Sequence, residues 1–101
     1  MASDLEKLLR FLEVEQIEQY LFSGNSPKRP SRIFGGQVLA QSLSAAIRTV
    51  HSTRMAHSMH AYFLRPGNPE KKIIYEVDPI REGKSFTTRS VVARQDGVAI
   101  F

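Results

Sequence analysis

The chain is 101 residues long, 42% hydrophobic and 24% charged, with a formal charge of +4. That balance argues against a disordered tail, and the length fits one domain with a modest core. Cysteine is absent, which excludes a disulfide framework, cysteine-ligated zinc, iron–sulfur clusters and a thiol nucleophile. No apolar run approaches the ~18 residues of a membrane span, and residues 1–10 lack the basic and apolar regions of a signal peptide. Basic residues are scattered and never exceed two in a row, so no nucleic-acid-binding stripe is signalled.

Ser3-Asp4-Leu5-Glu6 has the form of a capping box, with a hydroxyl for the amide three residues on and a glutamate able to reach back. Leu5, Leu8, Leu9 and Leu12 then recur at helical spacing, with Ile17 extending the stripe, and predict a short amphipathic helix with a leucine packing face. Tyr20-Leu21-Phe22 reads as a brief strand and the breaker-rich Gly24–Ser31 as an exposed loop. Gln37–Val50 reads as a helix with one charge, Arg48, and many small residues, suited to enclosure by a sheet on several sides.

From Met55 the period becomes two. Met55–Leu64 predicts a strand, ended by the Arg65-Pro66-Gly67-Asn68-Pro69 turn. Ile73–Asp78 is a second, with Pro79 marking an edge or bulge. Arg81–Ser85 follows as a hairpin loop, then Phe86–Arg94 as a strand, and Asp96-Gly97 as a two-residue hairpin turn. Val98–Phe101 begins a further strand, so the chain is expected to leave its sheet incomplete, with a short apolar edge.

A helix followed by an antiparallel meander that wraps it is the hotdog arrangement, an α+β fold. Arg32-Ile33-Phe34-Gly35-Gly36-Gln37-Val38-Leu39-Ala40-Gln41 resembles the helix entry of the type II (TesB-like) acyl-CoA thioesterase family. His57-Ser58-Met59-His60-Ala61-Tyr62-Phe63-Leu64-Arg65-Pro66-Gly67 is similar to that family's next strand. Arg81–Phe86 and Gln95–Phe101 match it in the same order, so the resemblance spans nearly the whole chain. It implies an antiparallel sheet around a long buried helix, with an extra N-terminal helix. It also implies hydrolysis of fatty acyl-CoA to free fatty acid and coenzyme A without a metal or other cofactor. Members are about two to three times this length and carry two hotdog units, against the one-domain prior here. This chain resembles the first unit, short of its last strands. The expected partners are fatty acyl-CoA and a second hotdog unit or further copies of the chain, with no nucleic acid and no membrane. The implied compartment is the cytoplasm in bacteria and often the peroxisome in eukaryotes.

Thioester hydrolysis needs an activated water, a donor for the oxyanion and a thiolate leaving group. The segment Gly36–Val50 holds no Asp or Glu, and the resemblance implies that an Asp, a Ser or Thr and a Gln come from the second unit. The chain alone is therefore expected to be inactive. His57 matches the strand-start histidine proposed as catalytic in the family, and its ordinary pKa near ~6.5 suits a base. The plainer alternative is a structural histidine bonded to a backbone carbonyl. Gly36, with Gly35 and Gln37, stands at a helix start whose free amides favour negative charge and offer an oxyanion or acyl-carbonyl site, or serves a tight turn and close packing. Gln37 and Gln41, four apart, orient a carbonyl or water, or satisfy backbone groups as buried glutamines usually do. Arg65, near Lys71 and Lys72, meets coenzyme A phosphates or is a solvated surface group. His57 and His60 would point to opposite faces of a strand and so could not share a metal. Tyr62 and Phe86 read as core. Two rival functions remain at this stage: a non-catalytic acyl-binding or assembly hotdog, and a hydratase or dehydratase acting on 3-hydroxyacyl thioesters. The acid-free helix weighs against the second.

Overall fold

The computed structural model describes residues 3–26 and 35–101. The chain order is α1 (Asp4–Leu12), β1 (Glu15–Glu18), β2 (Leu21–Gly24), α2 (Gly35–Ile47), β3 (Ile73–Glu82), β4 (Thr87–Gln95) and β5 (Val98–Ala99). Residues 27–31 of the expected loop, and 32–34 of the helix-entry motif, lie outside the described residues.

Ser3 caps α1 as its sequence predicts: its Oγ accepts from the Glu6 N–H at 3.1 Å. The helix stops at Leu12 rather than running toward Ile17, because Glu13 turns extended and Val14 is drawn into the core. Ile17 lies instead on β1, an exposed edge strand paired with β2 through Glu15↔Ser23 and Gln16↔Phe22. Backbone pairing and the anchoring of Val14 override the helical stripe. Leu5 and Leu9 stay exposed, so the expected packing face of α1 is left partly open.

The strands form one antiparallel sheet in the order β1-β2-β3-β4-β5, with α2 inserted between β2 and β3 in the chain. Buried Ile73, Tyr75 and Val77 alternate along β3 with more exposed Ile74, Glu76 and Asp78, the period-two signature of a one-sided sheet. The register breaks between Asp78 and Arg81, placing the expected bulge at Pro79. Strand β3 then runs on to Glu82, and β4 begins at Thr87, so Phe86 belongs to the connecting loop. Asp96 and Gly97 have φ of 51° and 77°, the pair of left-handed residues that a two-residue turn matching strand twist requires. The core gathers Val14, Phe22, Val38, Ala45, Ile73, Tyr75, Val77, Ala93 and Ile100.

Two expectations are corrected. Helix α2 buries one face, Val38, Gln41, Ser42 and Ala45, while Leu39 and Ile47 are exposed. The sheet of this chain covers one side of the helix and not several. Met55–Leu64 forms no strand, although it alternates in sequence. Alternation becomes a strand only where a neighbouring edge supplies hydrogen-bond partners. Here the described backbone bonds tie the segment to the sheet at its end, where the Leu64 and Arg65 N–H groups donate to Ile100 O.

Candidate functional site

The open flank of α2, the segment from Arg54 to Leu64 and the end of the β3–β4 hairpin enclose a groove of about 1020 Å³. Leu43, Ala46 and Ile47 contribute from α2, Met55 and Met59 from the segment, and Ile80 and Phe86 from the hairpin. Two arginines fasten these parts together. Arg54 donates to Gly83 O at 2.8 Å and Lys84 O at 2.7 Å. Arg89, whose side chain is 5% exposed, pairs with Glu82 and donates to Thr49 Oγ1 at 2.7 Å and Thr49 O at 2.9 Å. The end of α2 is thereby locked to the hairpin. Neither arginine was singled out by sequence, since their partners lie some 30 to 40 residues away.

His57 lines this groove and is exposed, with its ring meeting Phe86 edge-on at 5.8 Å. Among the described residues it makes no hydrogen bond to a backbone carbonyl. His60 lines the same groove; without a regular strand the opposite-face rule does not apply. The described residues hold no cluster of three or more His, Asp or Glu placed to bind a metal ion. Tyr62 and Phe86, read as core from sequence, are exposed groove residues.

The other four candidates lie off the groove wall. Gln41 is fully buried. Its Nε2 donates to Phe11 O and, at 3.0 Å, to Asn25 O, and its Oε1 accepts from the Tyr75 hydroxyl at 2.6 Å. Burial pushes the Tyr75 phenol well above its ordinary pKa. Gln37 donates to Ser26 Oγ at 2.8 Å and Asn25 O at 3.2 Å. Both glutamines therefore hold α2 to the chain that precedes it. Gly36 is exposed at the start of α2. Its neighbour Gly35 leaves room for Phe63, whose ring would stand 3.1 Å from a Cβ there, in keeping with the close-packing reading. Arg65 is exposed and donates to Ala99 O at 2.7 Å, while Lys71 pairs with Asp96.

What the geometry offers is a groove lined by apolar and polar side chains, with the imidazoles of His57 and His60 on its wall and, along α2, no carboxylate. Residues 25–101 match the model of the family described as acyl-CoA thioesterase N-terminal domain. The chain belongs to that family. It is 44% identical over 96 residues to acyl-CoA thioesterase 2 of Haemophilus influenzae, covering 94% of this chain and 34% of that protein. Against acyl-coenzyme A thioesterase 8 of Mus musculus the identity is 39% over 105 residues, covering 100% of this chain and 33% of that one. The solved TesB protein of Mycobacterium avium subs paratuberculosis superposes with a TM-score of 0.91 at 41% identity, over 96% of this chain and 40% of the other. The hotdog fold expected from the motifs is thus the fold of this thioesterase N-terminal domain. The chain spans about a third of the length of these curated relatives.

Proposed function

We propose that this chain is the first of two hotdog units of an acyl-CoA thioesterase, which together hydrolyse fatty acyl-CoA to free fatty acid and coenzyme A. The observation that carries this reading is the match of residues 25–101 to the thioesterase N-terminal domain. The groove supports it, since its volume and the apolar residues on its wall suit an acyl chain. In this reading the unit supplies a wall of the acyl site, and the second unit supplies the acid that α2 lacks. His57 is the candidate base on the groove. Arg65 is the candidate to meet coenzyme A phosphates and Gly36, at the helix start, the candidate to face the acyl carbonyl or oxyanion, both being exposed, whereas Gln37 and Gln41 hold the helix in place.

No helix among the described residues is long and apolar enough to cross a membrane; the proposed compartment is the cytoplasm, or the peroxisome in a eukaryote. The test follows free thiol from medium- and long-chain acyl-CoA, first with this chain alone and then with the second unit joined to it. The expected outcome is no release from the chain alone and release from the two-unit protein, reduced about 100-fold or more by His57→Ala if the imidazole is the base. Steady turnover by the chain alone, at the ~1–1000 per second of ordinary enzymes, would show that it carries its own acid and overturn the division of labour. Acyl-CoA binding without turnover by the two-unit protein would favour the non-catalytic acyl-binding reading, to which the acid-free helix also points.

A further inference from the structure

Among the described residues, two buried side-chain hydroxyls have no hydrogen-bond partner: Ser42 Oγ and Thr87 Oγ1. Both residues line the groove. Ser42 is 1% exposed and sits in the middle of α2, where a serine hydroxyl ordinarily bonds back to the carbonyl one turn earlier. An unpaired buried hydroxyl costs about 1–3 kcal/mol, and native interiors hold few of them. Alanine, already present nearby at Ala45 and Ala46, would fill the same space without that cost. The groove residues that follow Ser42 on α2, Leu43, Ala46 and Ile47, are apolar. A partner reaching Ser42 along them must carry an acceptor on an apolar chain. Thr87 differs, for it opens β4 opposite Glu82 at the hairpin end, to which Arg54 is bonded through Gly83 O and Lys84 O.

We propose that the Ser42 hydroxyl donates a hydrogen bond to the thioester carbonyl oxygen of an acyl chain lying in the groove. This rests on the thioesterase reading above and assigns one substrate-binding residue within it. The hydroxyl is covered in the unliganded fold, so donation to a ligand requires its χ1 to turn to another staggered position.

The experiment compares two ligands on this chain: palmitoyl-CoA, and hexadecyl-CoA, a thioether of similar length without the carbonyl. Ser42→Ala is expected to weaken palmitoyl-CoA about tenfold, the effect of one neutral hydrogen bond. It should leave hexadecyl-CoA unchanged and the thermal midpoint unchanged or higher. Ser42→Cys, nearly the same shape with a weak donor, is expected to reproduce the selective loss. Thr87→Val is expected not to discriminate between the ligands. If wild type and Ser42→Ala bind palmitoyl-CoA equally, or if a folded Ser42→Ala loses both ligands alike, the carbonyl assignment is overturned while acyl-CoA binding stands. If the wild-type chain binds neither ligand, the acyl-groove reading falls with it.

Discussion

Gln41 ties three parts of the chain together through one amide: the end of α1 at Phe11, the segment after β2 at Asn25, and β3 at Tyr75. Gly24 makes room for it, because a Cβ there would stand 2.3 Å from Gln41 Oε1 and 3.0 Å from the Tyr75 ring. Gly24→Ala is therefore expected to cost about 1–3 kcal/mol by overpacking. Gly97→Ala, where a Cβ meets nothing within 4 Å, should cost about 1 kcal/mol through its left-handed φ alone. Urea midpoints of the two variants check the ranking. Gln41→Ala strands the Tyr75 hydroxyl and two carbonyls and is expected to cost about 3 kcal/mol. An unchanged midpoint with weakened acyl-CoA binding would instead make Gln41 a ligand contact. Tyr75 adds a pH test. Its raised pKa means that the unfolded chain releases the phenolic proton first, so stability is intact below about pH 10 and falls as pH rises beyond it. Tyr75→Phe should lose a hydrogen bond near neutral pH yet show a shallower decline above about pH 10.

Between elements, the ion pairs differ by burial. Lys71 and Asp96 side chains are 50% and 67% exposed, so Lys71→Met should shift stability by less than about 1 kcal/mol. Arg89 is the opposite case. Almost buried, it joins the end of α2 to both strands of the β3–β4 hairpin through Thr49, Arg81 and Glu82. Arg89→Met, which keeps the apolar stem, is expected to cost about 1–2 kcal/mol by leaving the part-buried Thr49 acceptors unpaired. Thermal unfolding compares the two; equal small effects would mean that the hairpin holds α2 by apolar packing alone. The β3–β4–β5 meander was readable in sequence because each decision in it is local: alternation, Pro79 at a bulge, and Asp96-Gly97 at a turn. Strand β1 was hidden under a helical spacing that ended at Leu12, and Met55–Leu64 showed a strand pattern without an edge to pair with.

For the molecule as a whole, the consequence of a one-sided sheet is open apolar surface. Leu39, Ile47, Met55, Phe63 and Phe86 are all exposed, and β5 has only two paired residues at the margin of the sheet. Exposed large apolar side chains favour association where they lie together, as Ile47, Met55 and Phe86 do on the groove, and hotdog units are expected to pair. The chain alone is expected to self-associate at micromolar concentration in sedimentation velocity, with Phe86→Asp shifting it toward monomer. A monodisperse wild-type monomer would count against this face as the contact. Acyl-CoA binding and association compete if both use the groove, so adding palmitoyl-CoA should also reduce the associated fraction.

The sequence by itself determined the features whose causes lie within a few residues. These are the Ser3 cap, the bulge at Pro79, the left-handed turn at Asp96-Gly97, and the motifs that mark the thioesterase N-terminal domain. It also determined that α2 has no acid to offer. Only the tertiary structure decided which candidates face a groove and which are spent on the scaffold. Gln41 and Tyr75 are 34 residues apart, and Arg89 and Thr49 are 40; no local spacing encodes such meetings. The glutamines are scaffold because their amides find backbone carbonyls there. His57 faces a groove because the sheet covers one face of α2 and leaves the other to the segment that crosses it.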